Sequence, residues 1–124
     1  MSKLKVLYAE GNEQVMALGT AMLHAAGHTV RTAIGRQGVL DALKQSTFDL
    51  VILGGTVSKD DRHHLPFIVK KANANTRVAV MHTDGSRHHY VDINTESGSG
   101  MDEMLRKIGT PQPTNKAAAA AAGK

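Results

Sequence analysis

The chain has 124 residues, no cysteine and a formal net charge of +4. That length accommodates one domain with a single buried core, and the lack of cysteine excludes disulfide staples, thiolate metal centres and thiol redox chemistry. No apolar run is long enough to span a bilayer, and the start MSKLKVLYAEGN lacks the apolar segment and cleavage site of a secretory leader, so a cytoplasmic location without membrane contact is expected.

Lys5 to Ala9, KVLYA, is a short apolar run cut off by EGNE, and it predicts a first strand ending abruptly in a turn. From Asn12, an N-cap candidate, Val15, Leu18, Met22, Leu23 and Ala26 recur at helical spacing up to a stop at Gly27. HTVRTAI alternates as a second strand, and Arg36 to Gln45 puts Val39, Leu40 and Leu43 on one helical face. DLVIL then has the continuous branched apolar character of a strand buried on both sides of a parallel sheet.

After Gly54 and Gly55, Ser58 and Asp61 have the spacing of a capping box, with Leu65, Ile68, Val69 and Ala72 as the apolar face of a third helix. Pro66 is out of place beyond the first turn of such a helix, so the regular part starts near His64 or the helix is kinked. RVAVMH predicts a fourth strand and YVDI a weaker fifth. Ser99 and Asp102 form a second capping-box pattern, opening a helix with Met101, Met104, Leu105 and Ile108 inward, which Gly109 and Pro111 end.

Strands alternating with helices predict an α/β fold: a single flavodoxin-like, doubly wound, five-stranded parallel sheet with its site at the carboxyl ends of the strands. Residues 3–108 form this domain. Residues 109–124 have the proline, polar and alanine composition of a disordered tail, part of it with the look of a cloning remnant.

Between Lys3 and Ile108 the pattern resembles the receiver domain of two-component response regulators. KVLYAEGNEQV is similar to that family's first strand and acidic loop, and FDLVILGGTV to its third strand and phosphoacceptor loop. The resemblance implies an acidic pair holding Mg²⁺, an acceptor aspartate phosphorylated by a histidine kinase, and a hydroxyl and a lysine on later strands that respond to the phosphate. Glu10 matches the first acid, but Gly11 stands at the second and Gly54 at the acceptor. His82 stands at the switch hydroxyl, with Thr83 beside it, and Ser97 at the lysine. One glutamate without an acceptor carboxylate is a poor cage for Mg²⁺, which wants several oxygens in an octahedral set, and phosphoryl transfer also needs charge neutralisation around the moving group. The resemblance is therefore to a degenerate pseudo-receiver. Its stretch TDGSRHHYVDINTE is shorter than the family's by about two helical turns, which predicts a fourth helix reduced to a loop.

Other motifs are weaker. His63, His64, His82, His88 and His89 lack the one-turn spacing of a helical metal site, and no metal is expected. GGTVSKD lacks the spacing and lysine of a phosphate-binding loop, and its glycines suit a strand-end turn. Asp49 enters the third strand at its other end, about 15 Å from the site at 3.3 Å per residue, and suits a turn. Asp60 and Asp61 suit a helix start. Lys59, Arg62, Lys70, Lys71 and Arg77 are the densest basic neighbourhood, either a solvated helix face or a nucleic-acid contact, and aromatic stacking groups are scarce.

The expected function is a stand-alone pseudo-receiver in bacterial phosphorelay signalling. It would be no enzyme and bind no cofactor, working by contact with a signalling protein such as a histidine kinase or another regulator. Gly55, Asp84, Arg87, His88 and His89 join the site loops as the expected contact surface. The alternatives are a basic nucleic-acid-binding module on the third helix and, more weakly, a histidine-based metal sensor.

Overall fold

The structure, a computed structural model, describes residues 4–83, 90–96 and 100–109. Five strands, β1 (Lys5–Glu10), β2 (Thr29–Ile34), β3 (Leu50–Leu53), β4 (Arg77–Thr83) and β5 (Ile93–Glu96), pair in parallel in the order β2-β1-β3-β4-β5. Helices α1 (Glu13–Ala25) and α4 (Met101–Gly109) cover one face of this sheet, and α2 (Gly35–Gln45) and α3 (Lys59–Ala72) the other. The doubly wound, flavodoxin-like order is the one the alternation predicts.

Two apolar layers follow from strand alternation. Leu7, Ala9, Val51, Leu53, Val78 and Val80 point to α2 and α3, while Val6, Tyr8, Leu50, Ile52 and Ala79 point to α1 and α4. All four residues of β3 are fully buried, as a central strand with helices on both sides requires. In α4, Met101, Met104 and Ile108 are buried as the spacing predicts. Ser99, the tail from residue 110 and residues 84–89 of the shortened β4–β5 connection lie outside the described residues.

Local details refine several expectations. Asn12 caps α1 by accepting the Val15 N–H at 3.0 Å. The helix ends in a Schellman motif, with Gly27 N–H on His24 O, His28 N–H on Leu23 O, and Gly27 at φ 96°, a conformation that favours glycine. The predicted inward face of α1 holds at Leu23, which is buried, and at Met22, which packs against the same layer, but not at its other positions. Gly19 and Leu23 are its buried residues, whereas Val15 and Leu18 are exposed and Ala26 lies at the exposed end. The helix is rotated because Gly19 lets the Tyr8 ring come close: a Cβ there would sit 2.4 Å from the phenol oxygen.

The third helix starts at Lys59, not near His64, capped by Ser58 Oγ accepting the Asp61 N–H at 3.2 Å, and it runs through a buried Pro66. The fifth strand begins at Ile93, not at Tyr90. Asp92 instead holds the strand start: its Oδ2 accepts the Val78 N–H at 2.9 Å and the Lys70 ammonium at 2.8 Å, and Lys70 also donates to Thr76 O.

His28, buried after the turn, accepts the Leu4 N–H on Nδ1 at 3.2 Å. Burial holds its pKa below the ordinary value of 6.5, so folding favours the neutral ring. The stability this contributes is complete above the unfolded value and declines as pH falls below about 6.5. Chemical denaturation between pH 8 and 5 is expected to show this loss, and His28→Gln, which keeps an acceptor, to flatten it.

Candidate functional site

The site is built from the end of β1 outward. Val6, Tyr8 and Glu10 share one face of that strand by alternation, so the last side chain turns to the same side as the Tyr8 phenol. The β1–β3 ladder continues one residue beyond β3, through Gly54 N–H on Ala9 O at 2.8 Å, and brings Gly54 alongside Glu10. Val57 N–H on Gly54 O closes the following turn, which aims Thr56 back at the end of β1.

Glu10 is 1% exposed. Its Oε1 accepts the Thr56 backbone N–H at 3.0 Å and the Thr56 hydroxyl at 2.6 Å, and its Oε2 accepts the Tyr8 hydroxyl. The Thr56 Oγ1 in turn accepts the N–H groups of Gly11, at 2.8 Å, and Asn12, at 3.1 Å. Thr56 thus uses one donor and two acceptor positions, the full capacity of a hydroxyl. Burial first, then the Glu10 hydrogen bond and charge, push the Tyr8 pKa far upward. The phenol is therefore a fixed donor.

Three glycines make room for this network. A Cβ on Gly54 would lie 2.0 Å from both the Glu10 Cδ and Oε2, so the carboxylate occupies the volume a side chain at position 54 would need. A Cβ on Gly11 would lie 2.3 Å from the Thr56 carbonyl oxygen, and Gly19 is filled by the Tyr8 ring. Gly54 and Gly11 do not have left-handed backbones; among the described glycines only Gly27 and Gly35 have positive φ. Their role is space.

Of the sequence-predicted positions, the structure brings together Glu10, Gly11 and Gly54, with Gly55 in the adjoining turn. His82 and Thr83 continue β4 at the same carboxyl end of the sheet, but their side chains, like Ser97, Asp84, Arg87, His88 and His89, lie outside the described residues. Thr56 and Tyr8 were not anticipated. Their only sequence signals are the alternation Val6, Tyr8, Glu10 and a hydroxyl two residues after Gly54.

Among the described residues the site does not fit a divalent cation: both Glu10 oxygens are engaged, and Gly11 and Gly54 supply no side-chain oxygen. Among the described residues, no three His, Asp or Glu side chains gather as a metal set. Asp49 is at the amino end of β3, where its Oδ2 accepts the Lys5 N–H at 2.9 Å. It lines a cleft of about 390 Å³ there with Lys5, Asn73, Asn75 and Arg77.

The basic neighbourhood is dispersed. Lys70 is held by Asp92, Arg62 donates to Met81 O at 3.1 Å, and Arg77 is at the far end of the sheet, leaving Lys59 and Lys71 exposed on α3. Among the described residues no helix is long and apolar enough to cross a membrane.

No protein-family model matches the sequence. No curated protein matches it either. Solved structures do. The chemotaxis response regulator CheY4 of Vibrio cholerae is similar with a TM-score of 0.73 at 16% identity, over 86% of this chain and 97% of that one. A two-component response regulator from Clostridium difficile matches with a TM-score of 0.71 at 13% identity, over 86% and 93%. The response regulator TrrA of Thermotoga maritima, solved in complex with Mg²⁺ and BeF, matches with a TM-score of 0.70 at 18% identity, over 86% and 96%. At these identities the likeness is one of architecture: the chain has the fold of response regulator receiver domains.

Proposed function

We propose that this chain is a pseudo-receiver of two-component signalling that acts by phosphorylation-independent protein–protein contact, without enzymatic activity and without a cofactor. A single observation carries the reading: the Glu10 carboxylate fills the position that a side chain at Gly54 would take. Among the described residues the site has no acceptor carboxylate, and its one acid, Glu10, is sealed by Tyr8 and Thr56. TrrA, with the same fold, holds Mg²⁺ and BeF; here Gly11, Gly54 and a fully engaged Glu10 leave no comparable oxygen set. The contact surface is the carboxyl end of the sheet, where Gly11, Gly55 and the outer side of Thr56 are at least partly accessible. The partner is a histidine kinase or another regulator, located in the cytoplasm.

Incubation with acetyl phosphate and Mg²⁺ is expected to add no phosphoryl mass to the intact protein. An acid-stable or acid-labile adduct on a carboxylate would overturn the reading. Affinity purification from native lysate, with and without nuclease, then separates the two classes of partner. Recovery of a kinase or regulator that survives nuclease supports signalling contact, and nuclease-sensitive recovery of nucleic acid replaces it with binding through Lys59 and Lys71.

A further inference from the structure

The rotation of α1 leaves an apolar surface uncovered. Among the described residues the exposed large apolar side chains are Val15, Leu18, Ile34 and Phe67, and the first three belong to α1 and to the neighbouring edge strand β2. Leu18 is 71% exposed, the most of the four. Along the helix, Leu18, Ala21 and Ala25 follow the spacing of a single face, extended one turn back by Val15, with Met22 at its edge half-buried against the core. Ile34 adds to the same flank: Val30 packs into the layer under α1, and Ile34, four residues on in the strand, points to the same side.

This surface has the chemistry of a self-complementary contact. Between Gln14 and Ala26 the sequence contains no Asp, Glu, Lys or Arg, so two such faces meet without burying or opposing charges. Ala21 and Ala25 are small and let helix axes approach closely around the Leu18 side chain. The helix also has unlike ends, with Glu13 in its first turn and His24 in its last, both exposed. A two-fold axis that crosses α1 near its middle sets two copies antiparallel. Each Glu13 carboxylate then lies at the His24 end of the other helix, where an imidazole N–H is available as a donor, and the two helix dipoles oppose one another favourably. In the reverse, parallel arrangement Glu13 would meet Glu13. A two-fold contact uses the same patch on both subunits and needs this kind of self-complementarity.

We propose that α1 is the contact between two copies of this chain, an antiparallel α1–α1 dimer centred on Leu18 and Ala21 and flanked by Val15 and Ile34. The carboxyl end of the sheet stays open in this dimer, because the contact runs along the outer side of the helix. The proposal is independent of whether the site accepts phosphate.

Sedimentation equilibrium on the full chain, from about 1 µM to 1 mM, tests it. Wild type is expected to follow a reversible monomer–dimer equilibrium. Leu18→Glu, at a position exposed in the monomer, is expected to keep the circular dichroism spectrum and raise the dissociation constant at least about tenfold. Glu13→Lys is expected to weaken the dimer, and Glu13→Lys combined with His24→Glu to recover it. A wild type that stays monomeric throughout overturns the proposal, and so does a dimer that Leu18→Glu leaves unchanged.

Discussion

Gly54→Asp, which places an aspartate where the family resemblance puts the acceptor, is expected to disable the fold before it enables any chemistry. The new Cβ would lie 2.0 Å from a carboxylate that is buried and held by Tyr8 and Thr56. Either the backbone yields, at the cost of overpacking of about 1–3 kcal/mol, or Glu10 leaves its donors and loses hydrogen bonds of about 1.5–3 kcal/mol each to a charged group. The expected net loss is about 3 kcal/mol, a fall in melting temperature on the order of 10 °C for a domain of this size, and no phosphorylation by acetyl phosphate. Glu10→Ala removes the obstruction. In that background the additional cost of Gly54→Asp is expected to shrink by about 2 kcal/mol, within the range of coupling between touching residues. A Gly54→Asp protein as stable as wild type would show that Glu10 does not occupy the site, and one that also accepts phosphate would remove the basis of the pseudo-receiver reading.

Thr56→Val is the second large effect. The side chains are nearly isosteric, so the loss isolates the hydroxyl: one donor to the buried Glu10 carboxylate and the common acceptor of the Gly11 and Asn12 N–H groups. Denaturant unfolding is expected to show a loss of about 2–3 kcal/mol, with Thr56→Ser retaining most of the stability. The same network predicts behaviour at high pH. The Tyr8 pKa is raised in the folded state by burial, by its hydrogen bond to Glu10 and by the Glu10 charge. The protonated phenol's contribution is complete below the unfolded tyrosine value and is lost as pH rises above about 10. Tyr8→Phe, although destabilising, is expected to remove that part of the alkaline loss. An alkaline slope equal to that of wild type would show that the phenol is not confined as described.

The fold was legible because its physics is repetitive. A parallel sheet with helices on both faces demands runs such as DLVIL and RVAVMH, and the helices between them announce their starts through Asn12 and Ser58, which do cap. Misreadings arose where one local signal was opposed by a distant one. Scanning α1 for bulky residues picked out Leu23, which is buried, and Met22, which packs against the same layer, but also Val15 and Leu18, which are exposed, and it passed over Gly19, which faces the core with no side chain to register in such a pattern. Tyr90 and Val91 suggested an early fifth strand, but the paired register with β4 starts at Ile93, after Asp92, whose carboxylate accepts from the Val78 N–H and Lys70. Pro66 suggested a late start or a kink, and of these the late start fails, because Ser58, read as a cap from the sequence, opens the helix at Lys59.

The site was legible in part, for a similar reason. The resemblance located Glu10, Gly11 and Gly54 by position, and the structure does bring them together. It could not indicate that Glu10 turns inward to fill the space at Gly54, because that depends on Thr56, 46 residues away in the chain, and on the Tyr8 phenol beneath. Glycine at position 54 marks a place where a side chain is missing. The Glu10 carboxylate occupies that space.

The three glycines around Tyr8, Glu10 and Thr56 make this end of the sheet intolerant of single enlargements. Each glycine frees a volume that another residue's group then fills: Gly54 for the Glu10 carboxylate, Gly19 for the Tyr8 ring and Gly11 for the Thr56 carbonyl. With those volumes taken, any single change to a larger residue meets an atom already in place. An acid-bearing side chain at these positions therefore requires several coordinated changes, whereas the outer surfaces can change one residue at a time.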